Sequence, residues 1–108
     1  MHWQAFQFVA SIKALFPEYF FGKSVLEIGS HQVNGSIREL FSTDDYTGLD
    51  LSSGSGVDVV ISGHEFRSSK QFDVLISCEC FEHNPYYLQP YENMIEHLSD
   101  DGLLIFTC

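Results

Sequence analysis

The sequence predicts an α/β fold built on a parallel sheet of about five strands, and three observations predict it. Short apolar, β-branched runs recur at residues 24–29, 46–51, 57–61, 72–77 and 103–107, the composition of strands. Three of them, 24–29, 72–77 and 103–107, are almost continuously apolar, as strands covered on both faces must be. Segments of helical period lie between several of the runs, and helical crossovers are what join parallel strands.

Taken in chain order, Trp3, Phe6, Val9, Ala10, Ile12 and Lys13 follow helical spacing and Pro17 stands just beyond, which predicts an amphipathic helix over 3–15. Between the first and second strands, residues 34–41 offer Asn34 as a cap and then Ile37, Leu40 and Phe41 on one face, a short crossover helix. Residues 62–71 are polar and aperiodic, so that crossover shrinks to a loop or a single turn. Pro90 suits a first helical turn, and Tyr91, Met94, Ile95 and Leu98 form the stripe to be buried. The segment 99–102 then ends the helix, with Asp100 and Asp101 in a solvated turn. The histidines at 2, 64 and 97 fall on surface elements and receive no role.

The chain of 108 residues suffices for one domain with a real core, since 44% of it is apolar and 15% aromatic. Residues 1–20 are expected to form an N-terminal helix region and 21–108 the core that carries the sheet. Fifteen acidic against five basic residues give a formal charge of -10, which argues against nucleic acid as a partner. An odd three cysteines, Cys78, Cys80 and Cys108, fit a reducing, cytoplasmic setting better than a disulfide scaffold. The apolar stretch 3–16 is interrupted by Gln4, Gln7, Ser11 and Lys13 and has no basic leader, so neither a signal peptide nor a membrane span is expected. The fifth strand runs straight to Cys108. A parallel edge strand left bare is normally covered, so the expectation is a domain cut short at its C-terminus, prone to self-association through that edge.

In a doubly wound sheet, ligands lie beyond the carboxyl ends of the strands, where strand order reverses. The residues that follow each run therefore carry the chemistry. Gly29 permits a sharp turn and close approach of a ligand, and the helix start at 34–36 presents N–H groups to an anion. Asp50 ends the neighbouring strand and is placed to accept both hydroxyls of a ribose. The plain alternative is that Gly29 merely ends a strand and Asp50 caps a turn. A dinucleotide loop needs G-x-G-x-x-G, and the later glycine positions hold His31 and Asn34. Glu27 would repel a pyrophosphate and attract an ammonium, although it would also serve as a backbone cap. A ribose and an ammonium without phosphate describe S-adenosylmethionine.

The ordered set Val25-Leu-Glu27-Ile-Gly29-Ser30, Val33-Asn34-Gly35-Ser36, Tyr46-Thr-Gly-Leu-Asp50, Gly56-Val-Asp58, Phe72-Asp73-Val-Leu-Ile-Ser77, Glu82-His83 and Gly102-Leu-Leu-Ile-Phe106 resembles the class I S-adenosylmethionine-dependent methyltransferases, in particular their small methyltransferase-domain group. The likeness runs from about residue 20 to 108. It implies a Rossmann-like sheet that lacks the usual C-terminal helix and antiparallel strands. By the resemblance, Glu27, Gly29 and Ser30 lie along the methionine moiety, Asp50 holds the ribose and Leu51 touches the adenine. Ser77 and Cys78 offer backbone to the ammonium and sulfonium region. The sequence departs from the pattern in its glycine loop, where His31 and Val33 replace glycines, and after the third strand, where Ser62 and Gly63 stand in place of an acidic adenine acceptor.

Cys78, Cys80, Glu82 and His83 can be drawn as a zinc site, but no second ligand pair exists at metal spacing, so no metal is expected. Glu82 and His83 are the candidate acid and base for the methyl acceptor, or else only a loop anchor. Tyr86, Tyr87 and Tyr91 line an acceptor pocket or simply pack. Two functions follow: methyl transfer to an unidentified acceptor, or a non-catalytic nucleoside-binding or scaffold module of the same fold. A dehydrogenase is a distant third.

Overall fold

The computed structural model describes residues 3–32, 35–63, 65–78 and 88–107. Five strands, β1 (Val25–Ile28), β2 (Tyr46–Asp50), β3 (Val59–Val60), β4 (Phe72–Cys78) and β5 (Leu98–Thr107), form one sheet in the order β3-β2-β1-β4-β5. Every pairing is parallel. The order reverses between β1 and β4, which places the switch point at the carboxyl end of β1.

Side-chain alternation divides the core between the two faces of the sheet. On one face Val25, Tyr46, Val74, Ile76 and Ile105 pack with Val9, Phe20, Ile37 and Phe41. On the other, Leu26, Ile28, Leu49 and Leu75 pack with Phe72 and Met94. The first face is covered by α1 (Trp3–Leu15), over the residues its periodicity predicts. Ala5 and Val9 are its buried positions, while Trp3 is 66% exposed. A 3-10 turn at Pro17–Phe20, not anticipated from the sequence, then drives Phe20 onto Phe41 with ring centroids 4.4 Å apart.

The crossover between β1 and β2 is shorter than its pattern suggests. It is a single 3-10 turn, Ile37–Leu40, capped by Ser36, whose Oγ accepts from Arg38 N–H. Asn34, the expected cap, lies outside the described residues, as does Val33. The N–H groups of Arg38 and Glu39 are bonded to Ser36, and one short turn aligns few dipoles for an anion.

The second face is covered by α2 (Leu88–Glu96) and by the segment that follows β3. Met94 is buried as expected, but Ile95 is 46% exposed. Leu98 belongs to β5 rather than to the helical stripe. Asp100 and Asp101 are exposed yet lie within β5 and not in a turn, since β5 pairs with Phe72 through Leu98 and resumes at Val74 with Leu103 after an irregularity. His97, expected at the surface, is 5% exposed. β3 is only two residues long and exposed, because it forms one margin of the sheet.

Candidate functional site

Three chain segments meet at the carboxyl ends of β1 and β2. Gly29 ends β1 with φ 79°, a left-handed conformation that glycine adopts without the Cβ penalty. The chain thereby turns toward β2, and the N–H groups of Gly29 and Ser30 both donate to Leu49 O, at 2.8 and 3.0 Å. The turn brings Ser30, His31 and Gln32 against the loop that follows β2. A methyl group on Gly48 would stand 2.5 Å from Ser30 Oγ, one on Gly56 2.5 Å from Gln32 Cγ, and one on Gly54 would strike His31 Nε2. The glycines absent from the β1 loop thus reappear on the segment it packs against, so close approach survives with the large and small partners exchanged. Ser30 is 3% exposed, and among the described residues its Oγ has no hydrogen-bond partner.

Asp50, half-buried at the end of β2, accepts from His31 N–H at 3.0 Å through Oδ2 and from Ser52 N–H at 3.1 Å through Oδ1. It does cap the turn, as the plainer reading has it. Each carboxylate oxygen still keeps a second lone pair for an incoming hydroxyl. Next to it, Leu51 holds an apolar side chain 74% exposed at the rim.

Glu27 is 6% exposed on the face of the sheet that carries Val25 and Tyr46. Tyr46 donates its hydroxyl to Glu27 Oε1 at 2.7 Å. Burial pushes the Glu27 carboxyl up to about 7, with Asp50 and Asp58 adding to the rise and Tyr46 and Arg38 opposing it. Burial and the neighbouring Glu27 keep the Tyr46 phenol protonated far above its ordinary range. Among the described residues no cation is paired with Glu27. Arg38, whose charge acts on Glu27, spends its guanidinium on Asp58 at 3.1 Å and on Tyr46 O at 3.3 Å while lying over the Tyr46 ring. Neither Tyr46, Arg38 nor Asp58 stood out as site residues in the sequence. The alternation Tyr46, Gly48, Asp50 along one strand was the available signal, since it puts all three on the face that Glu27 occupies.

After β3, Ser62 closes a turn, its Oγ on Glu65 Oε1 at 3.0 Å and its carbonyl accepting from the N–H groups of Glu65 and Phe66. Gly63 is buried and gives its carbonyl to Asn93 Nδ2 on α2 at 2.6 Å. Ser77 is fully buried near the end of β4, and Cys78, half-buried, is its last residue. These two sit across the switch point from Ile28, since Ser77 is the register partner of Ile28. The predicted nucleoside residues are therefore gathered along one end of the sheet, Ser62 and Gly63 beyond β3, Asp50 and Leu51 beyond β2, Glu27 to Ser30 at β1, and Ser77 and Cys78 at β4. Cys80, Glu82, His83, Tyr86 and Tyr87 lie outside the described residues, as do His2 and His64 and the side chain of Tyr91. Among the described residues no group of three potential metal ligands occurs.

The all-parallel sheet in the order β3-β2-β1-β4-β5 is Rossmann-like, and its fold matches that of a methyltransferase of known structure. Among solved structures the chain is similar to NodS, an N-methyltransferase from Bradyrhizobium japonicum WM9, with a TM-score of 0.67 and 18% identity over 94% of this chain and 67% of that one. The NodS complex with S-adenosyl-L-homocysteine gives 0.68 and 19% over 95% of this chain and 59% of that one. The chain thus spans 59–67% of the length of those NodS chains. No family model and no curated protein matches the sequence.

Proposed function

We propose that this chain binds S-adenosylmethionine across the carboxyl ends of β1, β2 and β4 and transfers its methyl group to an acceptor. The observation that carries the reading is the pair Glu27 and Asp50, a buried carboxyl group with no cationic partner among the described residues and a rim carboxylate one strand away. A pyrophosphate would meet two acidic groups there, whereas an α-ammonium and a ribose meet one each. Glu27 takes the ammonium, Asp50 the ribose hydroxyls and Leu51 a face of the adenine. Ser62 and Gly63 border the adenine, and Gly29, Ser30, Ser77 and Cys78 present backbone along the methionine. When bound, the sulfonium supplies an electrophilic methyl: a lone pair of the acceptor forms the new bond to carbon, and the electrons of the broken carbon–sulfur bond stay on sulfur. The protein's part is to hold both partners in line, with Glu82 and His83 the proposed acid and base.

Calorimetric titration with S-adenosylmethionine, S-adenosylhomocysteine and NAD tests this. Both sulfur nucleosides bind and NAD does not; equal binding of NAD overturns the reading in favour of a dehydrogenase. The bulkier Ser30, His31 and Gln32 in the glycine loop favour, as a second reading, a module that binds the nucleoside without turnover. Tight binding with no transfer of labelled methyl to amine, hydroxyl or carboxylate acceptors would establish that instead. The reading places the protein in the cytoplasm; among the described residues no helix is long and apolar enough to cross a membrane.

A further inference from the structure

Glu27 is surrounded by groups from four segments. Tyr46 begins β2 in register with Val25, so its hydroxyl reaches along the strand to the carboxyl two residues further on. The ring that carries this hydroxyl is itself held, by Arg38 at 4.5 Å over its face and by Phe41 at 5.7 Å in an edge contact. Arg38 is anchored by Asp58, and Asp58 also accepts from Gly48 N–H at 2.7 Å, which ties the assembly to the backbone of β2. Asp50 adds negative charge from the end of β2, and Cys78 faces Tyr46 from β4. One carboxyl oxygen of Glu27 is therefore fixed by a hydroxyl that is itself fixed. The other, Oε2, accepts no hydrogen bond among the described residues.

We propose that Tyr46 is a positioning residue for the aminoacyl end of the ligand: it holds Glu27 through Oε1 so that Oε2 meets the α-ammonium, and capture of that ammonium releases a proton from Glu27. This rests on the reading of the site as one for S-adenosylmethionine. Burial leaves the free protein with a partly protonated Glu27 at neutral pH, and a bound ammonium favours the charged form. Binding and deprotonation are then linked, so affinity for an ammonium-bearing ligand falls as pH drops below about 7. The Tyr46 hydrogen bond favours the charged carboxylate, so its removal moves the transition to higher pH.

The test compares S-adenosylhomocysteine with 5′-methylthioadenosine, the same nucleoside without the amino acid, by calorimetry from about pH 5.5 to about 8.5. In the parent, S-adenosylhomocysteine loses up to about tenfold in affinity per pH unit below the transition, while methylthioadenosine stays flat. Tyr46→Phe shifts the transition upward and weakens S-adenosylhomocysteine at neutral pH, yet leaves methylthioadenosine unchanged. Glu27→Gln removes the pH dependence. Parallel loss of both ligands in Tyr46→Phe, or a pH-independent affinity in the parent, overturns the inference. Failure of both ligands to bind the parent overturns the nucleoside reading itself.

Discussion

Asp50 pins His31 and Ser52 through its two carboxylate oxygens, and in the proposed site the same side chain takes the ribose. Asp50→Ala removes one or two charge-assisted hydrogen bonds to the ligand, about 1.5 to 3 kcal/mol each, so affinity for S-adenosylhomocysteine should drop about ten- to a hundredfold or more. Asp50→Asn keeps an amide oxygen as acceptor and should lose less. Calorimetry checks the first effect and a melting curve the capping loss; unchanged affinity and melting together would remove Asp50 from the ribose. Glu27 makes the opposite kind of prediction. Its native carboxyl holds a proton more tightly than the unfolded chain does, with the group raised from 4.5 to about 7. Stability therefore falls as pH rises through that window and stays lower above it. Glu27→Gln should be the more stable protein at pH 8 by about 1 to 3 kcal/mol and equal to the parent below about pH 4.5, as urea melts at the two extremes would show. In the proposed site, a carboxyl group that destabilises its own fold would exchange stability for binding.

Among the elements, α2 does more than cover a face of the sheet. Asn93 donates Nδ2 to Gly63 O and to Phe66 O at 2.6 and 2.8 Å and accepts from Arg67 at 3.0 Å. One turn on, His97 donates Nδ1–H to Asn93 O at 2.9 Å and accepts from Ser68 N–H through Nε2 at 3.2 Å. Among its described residues the segment after β3 forms no helix, and these two side chains tie it to α2. Asn93→Ala leaves two carbonyls without this donor and should cost about 1 to 3 kcal/mol, measurable by denaturant unfolding. Asn93→Asp, which turns a carboxylate toward the same carbonyls, should cost more. The paired loops beyond β1 and β2 are equally constrained. Gly48→Ala should destabilise by about 1 to 3 kcal/mol, because the added methyl meets Ser30 and the backbone of Gly56; a variant with an unchanged melting curve would show that these loops are loosely packed.

At the scale of the whole molecule, the sheet order leaves β3 at one margin and β5 at the other. Edge strands invite pairing with a second chain, whereas a formal charge of -10 opposes association until salt screens it. The chain should therefore self-associate more strongly as ionic strength rises, a trend that sedimentation at two salt concentrations measures. A monomer under both conditions would count against association through the edges.

The sequence by itself determined the order of the strands along the chain and the place of the first helix, because period 3.6 and period 2 leave different apolar patterns. The helix over 3–15 and a strand at each of the five runs are present in the structure, the third reduced to Val59–Val60. It also determined which strand ends carry Glu27, Gly29 and Asp50, since position along a parallel strand follows directly from position in the run. What only the tertiary structure decided are the relations between runs. His97 looked like a surface residue until the loop that buries it was in place. The glycine loop looked deficient because its glycines lie on the neighbouring loop, across a contact between segments remote in sequence. Tyr46, Arg38 and Asp58 support Glu27 from β2, the short 3-10 turn and the approach to β3, and no local pattern encodes that meeting. Local free energies select helix or strand from adjacent residues, whereas the charge on a buried carboxyl group depends on the desolvation and the partners that the fold alone assembles.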